Sequence, residues 1–97
     1  MEIALPKSYN LTQNYPNPFN PVTKIDYDLP FDSKVALILY DMLGREIKNI
    51  VNENQKAGYY TVVVNAHNLS SGTYFHRFIA NSSGKNIIIT KKMVLLK

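Results

Sequence analysis

Two kinds of sequence meet at residues 14–29, which read NYPNPFNPVTKIDYDL. The first half holds three prolines and three asparagines. Each proline fixes its own φ, lacks an amide donor and pushes the preceding residue toward extended backbone. We therefore predict neither a helix nor a central strand there, but a rigid lead into a domain. From residue 23 to residue 29 polar and apolar side chains alternate, a pattern typical of a strand with one buried face.

The rest of the chain repeats short strand-like runs separated by turn residues. The continuous apolar run at residues 35–40 predicts a central strand covered on both faces. Residues 46–51 also fit helical spacing, but the run is short and we take it as a strand. Further strands are expected at residues 59–65, 73–80 and 86–96, and turns or loops at residues 31–33, 41–45, 52–58, 68–72 and 81–84.

About seven short strands, with turn signals every ten residues or so, predict an all-β, immunoglobulin-like antiparallel β-sandwich. Gly44 sits in a tight hairpin where a positive φ is wanted. Tyr74 stands where a tyrosine corner would place its hydroxyl on upstream backbone. The alternative for Tyr74 is a plain core aromatic.

Length and composition bound what the chain can be. Its 97 residues fit one domain and its apolar fraction of 45% is that of a globular protein. We assign residues 1–10 to a linker or expression remnant, with Met1 from expression, and residues 11–97 to the domain. With no cysteine, disulfides and thiol chemistry are excluded, and we expect no cofactor. Residues 1–7 lack the apolar core of a signal peptide. If the parent protein is secreted, we expect its signal peptide to lie upstream of these residues. No apolar stretch is long enough to span a membrane.

The charge is unevenly distributed. The net charge is +4, and from Asn54 to the end there is no Asp or Glu. This favours an acidic partner or an anionic surface about as much as it favours a solvated strand face. Nucleic acid is disfavoured because the basic residues are dispersed and no motif organises them. The cations of this region are Lys56, Arg77, Lys85, Lys91, Lys92 and Lys97.

Catalytic and metal-binding patterns are weak. His67 and His76 have no nucleophile at a recognisable spacing, so we interpret both as structural. Asp26 and Asp28 share a strand face, but a solvated polar face explains them better than a glycosidase pair, which needs a cleft. Calcium near these aspartates and Asp41 would need a dedicated oxygen-rich loop that the sequence lacks. The aromatics Tyr15, Phe19, Tyr59 and Phe75 could form a sugar platform, but we expect Tyr15 and Phe19 to pin the proline-rich segment to the sandwich.

An ordered set of motifs resembles the type A C-terminal sorting domain of the type IX (Por) secretion system. The resemblance covers residues 5–97, with one departure at Val64-Asn65, where many members carry Trp-Asp. The matching segments are residues 11–23 (LTQNYPNPFNPVT), 25–30 (IDYDLP), 35–45 (ending YDMLGR), 57–60 (AGYY), 69–75 (LSSGTYF) and 91–97 (KKMVLLK). The family positions that we single out for the fold are Asn14, Pro16, Asn17, Pro18, Phe19, Asn20, Pro21, Asp41, Gly44, Arg45, Gly58, Gly72 and Tyr74.

The resemblance implies a secretion signal and not an enzyme. Such domains lie at the C-terminus of a cargo chain that folds in the periplasm and crosses the outer membrane. The implied partners are the upstream cargo domain, the outer-membrane translocon with its shuttle protein, and a sortase-like cysteine peptidase that commonly cleaves the domain and attaches the cargo to the surface. Cleavage would fall upstream of Leu11. We expect the domain to be a monomer. We expect it neither to bind nucleic acid nor to insert into a membrane. The implied recognition residues are Lys91, Lys92, Met93, Val94, Leu95, Leu96 and Lys97.

Two other functions fit the same sandwich. One is an accessory carbohydrate-binding module, which would need an exposed row of aromatic side chains. The other is a structural spacer, which would tolerate changes to residues 91–97 with only a loss of stability.

Overall fold

The computed structural model describes residues 4–97 and consists of strands joined by short turns. A three-stranded sheet has the order β1-β2-β5 and a four-stranded sheet the order β4-β3-β6-β7, with all neighbouring strands antiparallel. The two sheets form the predicted immunoglobulin-like β-sandwich. No helix in residues 4–97 is long and apolar enough to cross a membrane. The strands are β1 (Asn10–Leu11), β2 (Val22–Leu29), β3 (Ser33–Asp41), β4 (Glu46–Gln55), β5 (Gly58–Asn65), β6 (Gly72–Ser82) and β7 (Lys85–Leu95).

The core divides into two clusters of buried side chains. The larger one contains Tyr27, whose ring stacks on Tyr60 with 5.2 Å between centroids and also contacts Phe78. Burial raises the pKa of the Tyr27 hydroxyl to about 12, although this hydroxyl donates a hydrogen bond to Gln55 at 2.6 Å. The smaller cluster lies at the end of the sandwich where β7 finishes. It contains Phe19, Leu39, Ala66, Tyr74, Met93 and Leu95.

Most strand predictions are confirmed. β2 buries Ile25, Tyr27 and Leu29 on one face as the alternation requires. β3 is central in its sheet, but its outer face is only partly covered, since Ala36 and Tyr40 are half-buried. The ambiguous run at residues 46–51 is part of a strand.

Two predictions at the sheet edges are corrected. We expected a loop over residues 52–58, but β4 continues to Gln55, and Asn52 and Asn54 pair with β3. An edge strand with exposed side chains accepts polar residues because its backbone, not its side chains, holds it in the sheet. The sequence also gave no sign of β1, which pairs Asn10 with Asp28.

Two local motifs form as predicted. Gly44 adopts φ +81° in the β3–β4 hairpin, a conformation that other residues rarely adopt. Asp41 closes this hairpin by accepting the Leu43 and Arg45 amides at 2.9 and 3.0 Å and the Arg45 Nε–H at 2.7 Å. These bonds, led by the Arg45 amide, lower the pKa of the Asp41 carboxyl. The Tyr74 hydroxyl donates to the Ser70 carbonyl at 2.7 Å, which is the bond of a tyrosine corner.

The segment before β1 touches the sandwich. Pro6 is buried, and Tyr9 packs against the larger cluster and hydrogen bonds to Ser33. The assignment of residues 1–10 to a linker or expression remnant stays a prediction, and the part of it that concerns Met1 lies outside the described residues.

Candidate recognition site at the C-terminal strand

The predicted recognition residues form the end of β7 and the two residues after it. Their side chains alternate between the core and the outer face of the four-stranded sheet, as strand geometry requires. Met93 and Leu95 are fully buried in the smaller cluster. Lys92 is exposed and Leu96 is 55% exposed, while Lys91 and Val94 are half-buried. The seven residues therefore include two core anchors, Met93 and Leu95, and an outer-face set that we call the surface row. The surface row consists of Lys92, Val94 and Leu96. We call residues 91–97 the tail.

The proline-rich segment, residues 13–21, lies along the outer edge of the tail; we call it the Asn-Pro segment. The Phe19 amide donates to the Val94 carbonyl at 2.9 Å, and the Leu96 amide donates to the Phe19 carbonyl at 3.0 Å. One residue bonding to two residues of its neighbour in this way is parallel pairing. The Phe19 ring is 2% exposed and packs in the smaller cluster, so it fixes the segment against the tail.

Side-chain amides extend this contact on the N-terminal side of Phe19. The Val94 amide donates to Asn17 Oδ1 at 3.0 Å, and Gln13 Nε2 donates to the Lys92 carbonyl. Asn17 therefore supplies the acceptor that a neighbouring strand would otherwise provide. These contacts join residues 77 and 79 positions apart in the sequence.

Internal hydrogen bonds hold the Asn-Pro segment in shape. Asn14 is buried, and its Nδ2 donates to the Pro16 carbonyl at 3.0 Å and to Thr23 Oγ1 at 3.1 Å. The Pro21 carbonyl accepts the Ala66 amide at 2.9 Å. Tyr15 pairs with Lys24 of β2 through two backbone bonds. The segment therefore meets the three-stranded sheet near both of its ends, and between them Phe19 pairs with β7 of the other sheet. The exposed members of the segment are Gln13, Tyr15, Pro16, Asn17, Pro18 and Asn20.

Lys97 is also held by hydrogen bonds. The Lys97 amide donates to Ser71 Oγ at 3.0 Å, and its Nζ donates to the His67 carbonyl at 2.6 Å. Both acceptors belong to the turn between β5 and β6. The Lys97 charge is consequently placed beside the smaller cluster at one end of the sandwich.

Most of the other family positions gather at this same end. Gly72 and Tyr74 begin β6 and pair with Leu95 and Met93 of β7. Asp41, which opens the hairpin containing Gly44 and Arg45, pairs with Tyr74. Gly58 is the exception, since it pairs with Leu29 at the far end of β5.

His76 lies fully buried next to the tail. It stands on β6 opposite Lys91, and its Nε2 lies 3.4 Å from the Thr12 carbonyl, just before the Asn-Pro segment. Its Nδ1 is buried without a partner among the described residues. Burial lowers the pKa of this imidazole, and the nearby Lys91 charge lowers it further. A neutral ring that donates from Nε2 fits these contacts.

The candidate catalytic, metal and sugar residues do not converge. Asp26 accepts the hydroxyls of Tyr15 and Thr61 at 2.8 and 2.7 Å on the three-stranded sheet, and Asp41 closes a hairpin of the other sheet. Residues 4–97 contain no cluster of three or more His, Cys, Asp or Glu side chains able to hold a metal. Phe19 is buried, and Tyr59 and Phe75 belong to different sheets. The four aromatics thus form no common platform.

Sequence reasoning missed the contact between the Asn-Pro segment and the tail. We identified the Asn-Pro segment and the tail separately and found no sign of their pairing. Gln13 and His76 were not counted as part of the site, yet both contact residues of this region. The regular placement of Asn17 between two prolines was the available signal, because proline cannot donate and a side-chain amide there is free to pair.

A family model described as the secretion system C-terminal sorting domain matches residues 13–95. The match includes both the Asn-Pro segment and the tail up to Leu95. No curated protein matches the chain. Domains of this kind are sorting signals of cargo proteins that are secreted or displayed on the cell surface, and they are not typically catalytic. The chain therefore belongs to the C-terminal sorting domains of the type IX (Por) secretion system.

Proposed function

We propose that the tail is the part of this sorting signal that the outer-membrane translocon and its shuttle protein recognise, after the cargo has folded in the periplasm. The observation that carries this proposal is the division of the tail. Met93 and Leu95 anchor it in the core, whereas Lys92 and Leu96 remain accessible on its outer face. A partner can read the surface row without unfolding the sandwich.

The charges near the tail support an acidic partner surface. Neither β6 nor β7 contains Asp or Glu. The exposed Lys92 therefore has no opposite charge on its own strand, β7, or on the neighbouring strand, β6. Charge complementarity of this kind steers association and selects partners. The apolar side chains of Leu96 and Val94 would supply the buried contact.

We further propose that a sortase-like cysteine peptidase cleaves upstream of Leu11 and attaches the cargo to the cell surface. Ala4, Leu5, Lys7 and Ser8 are exposed, and Leu11 is buried within β1. Exposed backbone before the first strand is where a peptidase can bind without disturbing the sheet. N-terminal sequencing of the released domain would locate the bond, and cleavage after Leu11 would contradict this part.

The experiment that tests the proposal is export of a reporter carrying the domain, in a bacterium with the type IX apparatus. Deleting residues 91–97 is a poor test because it removes Met93 and Leu95 from the core. Lys92→Glu and Leu96→Asn change only the surface row. Lys48→Glu, at an exposed site on β4 of the same sheet, is the matched control.

We expect Lys92→Glu and Leu96→Asn to retain folded reporter in the periplasm, while Lys48→Glu is secreted normally. Equal secretion of all variants would place the signal elsewhere. If the unchanged domain fails to direct export although folded, a spacer or an accessory carbohydrate-binding module becomes the better explanation. A glycan-binding screen on the isolated domain would then separate those two.

A further inference from the structure

The first half of β7 has an outer edge with no backbone partner among the described residues. Val94 directs its amide and carbonyl away from β6, toward the Asn-Pro segment. The β6–β7 register has no shift, so every second residue of β7 points its backbone groups the same way. Asn86, Ile88 and Thr90 therefore present free amides and carbonyls. We call residues 86–90 the open edge.

The open edge is well suited to pair with another strand. It contains three consecutive isoleucines followed by Thr90, residues that favour extended backbone. Ile88 is 61% exposed. Natural sheets usually shield such edges with proline, bulges or a covering segment. The Asn-Pro segment covers the tail in this way, but it stops short of the open edge.

An apolar cleft lies beside the open edge, on the side that faces the other sheet. It has a volume of about 280 Å³ and includes the side chain of Ile87. Because side chains alternate along a strand, a strand added to this edge would direct every second side chain toward the cleft. The remaining lining residues are Tyr9, Phe31, Ser82, Ser83 and Lys85.

All charged side chains on β7, which contains the open edge, and on its neighbour β6 have the same sign. They are Arg77, Lys85, Lys91 and Lys92. An added strand with acidic side chains would gain attraction, and one with basic side chains would be repelled.

β4, the outer edge on the opposite side of the same sheet, offers less. β4 carries Glu46 and Glu53 next to Lys48, so its charge is mixed. The pocket between β4 and the turn after β5 is less apolar than the cleft at the open edge, since Lys48, Asn65 and Asn68 line it together with Ile47 and Leu69. The open edge combines unpaired backbone, an apolar cleft and uniform positive charge.

We propose that the open edge binds an extended segment of a partner protein by strand addition, and that this segment alternates apolar with acidic residues. Backbone hydrogen bonds from Ile88 and Thr90 would supply affinity, and the cleft would accept one apolar side chain, as in other edge-recognition modes. Lys85 and Lys91, at the two ends of the open edge, would select acidic flanks. This site is separate from the surface row of the tail, so it does not depend on how the tail is recognised.

The test is selection from two displayed peptide libraries on the folded domain. In both, seven-residue peptides carry Val, Ile, Leu, Phe or Tyr at alternate positions. The intervening positions hold Asp, Glu, Ser or Thr in the first library and Lys, Arg, Ser or Thr in the second. Selected peptides are then titrated against the labelled domain by NMR.

Two variants at one position separate backbone pairing from side-chain contact. Ile88→Pro removes the outward amide, and an edge strand tolerates proline where the amide faces solvent. Ile88→Thr keeps that amide and alters only a side chain on the outer face. Spectra of the free variants check that both fold.

We expect enrichment from the acidic library alone and shift changes confined to residues 86–90 and the cleft. Ile88→Pro should weaken binding at least about tenfold, equivalent to about 1.4 kcal/mol, while Ile88→Thr binds nearly as the unchanged domain does. Enrichment of basic peptides, no enrichment at all, or equal binding by Ile88→Pro would overturn the proposal. Concentration-dependent pairing of two domains through Ile88 would instead assign the edge to a second copy of this chain.

Discussion

The two halves of β7 have similar strand patterns and different surroundings. The half at residues 92–95 has its inner side chains fully buried and its outer edge paired with the Asn-Pro segment. The half at residues 86–90 has exposed or half-buried side chains and an unpaired edge. The difference comes from a segment more than 70 residues away in the chain. The pairing of the tail's outer edge is therefore a property of its contact with the Asn-Pro segment.

The largest effect on stability is expected from truncating the buried side chain of Phe19. Phe19→Ala should lower the free energy of unfolding by about 3–5 kcal/mol, the range for a buried phenylalanine. The reason is a cavity in the smaller cluster together with a loosened Asn-Pro segment. The matched control is Phe31→Ala, because Phe31 is 63% exposed. Urea unfolding followed by tyrosine fluorescence measures the free energy of unfolding of both variants. Equal decreases in the two variants would mean that Phe19 does not hold the Asn-Pro segment against the tail.

A neighbouring pair of leucines sharpens the comparison within the tail. Leu95→Ala should destabilise the domain by about 2–5 kcal/mol, since the side chain is fully buried. Leu96→Ala should change stability by less than about 0.5 kcal/mol because the side chain is largely exposed. In the export assay both variants should lose secretion, Leu95→Ala through the fold and Leu96→Ala while still folded. A stable, fully secreted Leu96→Ala would remove Leu96 from the recognition row.

The sequence predicts local features of this fold better than distant ones. The alternation of β2, the positive φ of Gly44 and the bond of Tyr74 all depend on residues close together in the chain. β4 was assigned too short because its last residues are polar and only its backbone marks it as a strand. The pairing of Phe19 with Val94 and Leu96 joins the Asn-Pro segment and the tail in parallel. No short-range pattern encodes such a contact, so the candidate residues were found but their association was not.

A smaller effect on stability is expected from replacing Asn17, whose side chain accepts a hydrogen bond from the backbone of β7. Asn17→Ala removes the acceptor of the Val94 amide and should reduce stability by about 0.5–1.5 kcal/mol, the net value of one hydrogen bond. Hydrogen exchange at the Val94 amide should become faster, approaching the rate at Ile88 on the open edge. Asn20→Ala is the control, since Asn20 is exposed and its side chain makes no hydrogen bond to residues 4–97. Unchanged exchange at Val94 in Asn17→Ala would show that the Phe19 bonds alone protect the edge.

The smallest effect is expected at His76, which pairs with Lys91 where the two halves of β7 meet. Burial holds the pKa of its imidazole below the ordinary value of 6.5. The unfolded chain therefore takes up a proton at a higher pH than the folded domain does. Stability contributed by neutral His76 is fully present above pH 6.5 and decreases as the pH falls below that value. Protonation would also place a hydrogen on Nδ1, which has no acceptor among the described residues.

Urea midpoints measured from pH 7.5 down to pH 5 should therefore decrease, and His76→Leu should flatten this dependence. His67→Gln, at an exposed turn, is the control and should keep it. Because His76 Nε2 bonds to the Thr12 carbonyl, the loss should be accompanied by faster exchange at the Val94 and Leu96 amides, but not at Ile88. The same slope in His76→Leu and the unchanged domain would assign the acid sensitivity to the carboxylates, and the contact between the Asn-Pro segment and the tail would then be insensitive to pH in this range.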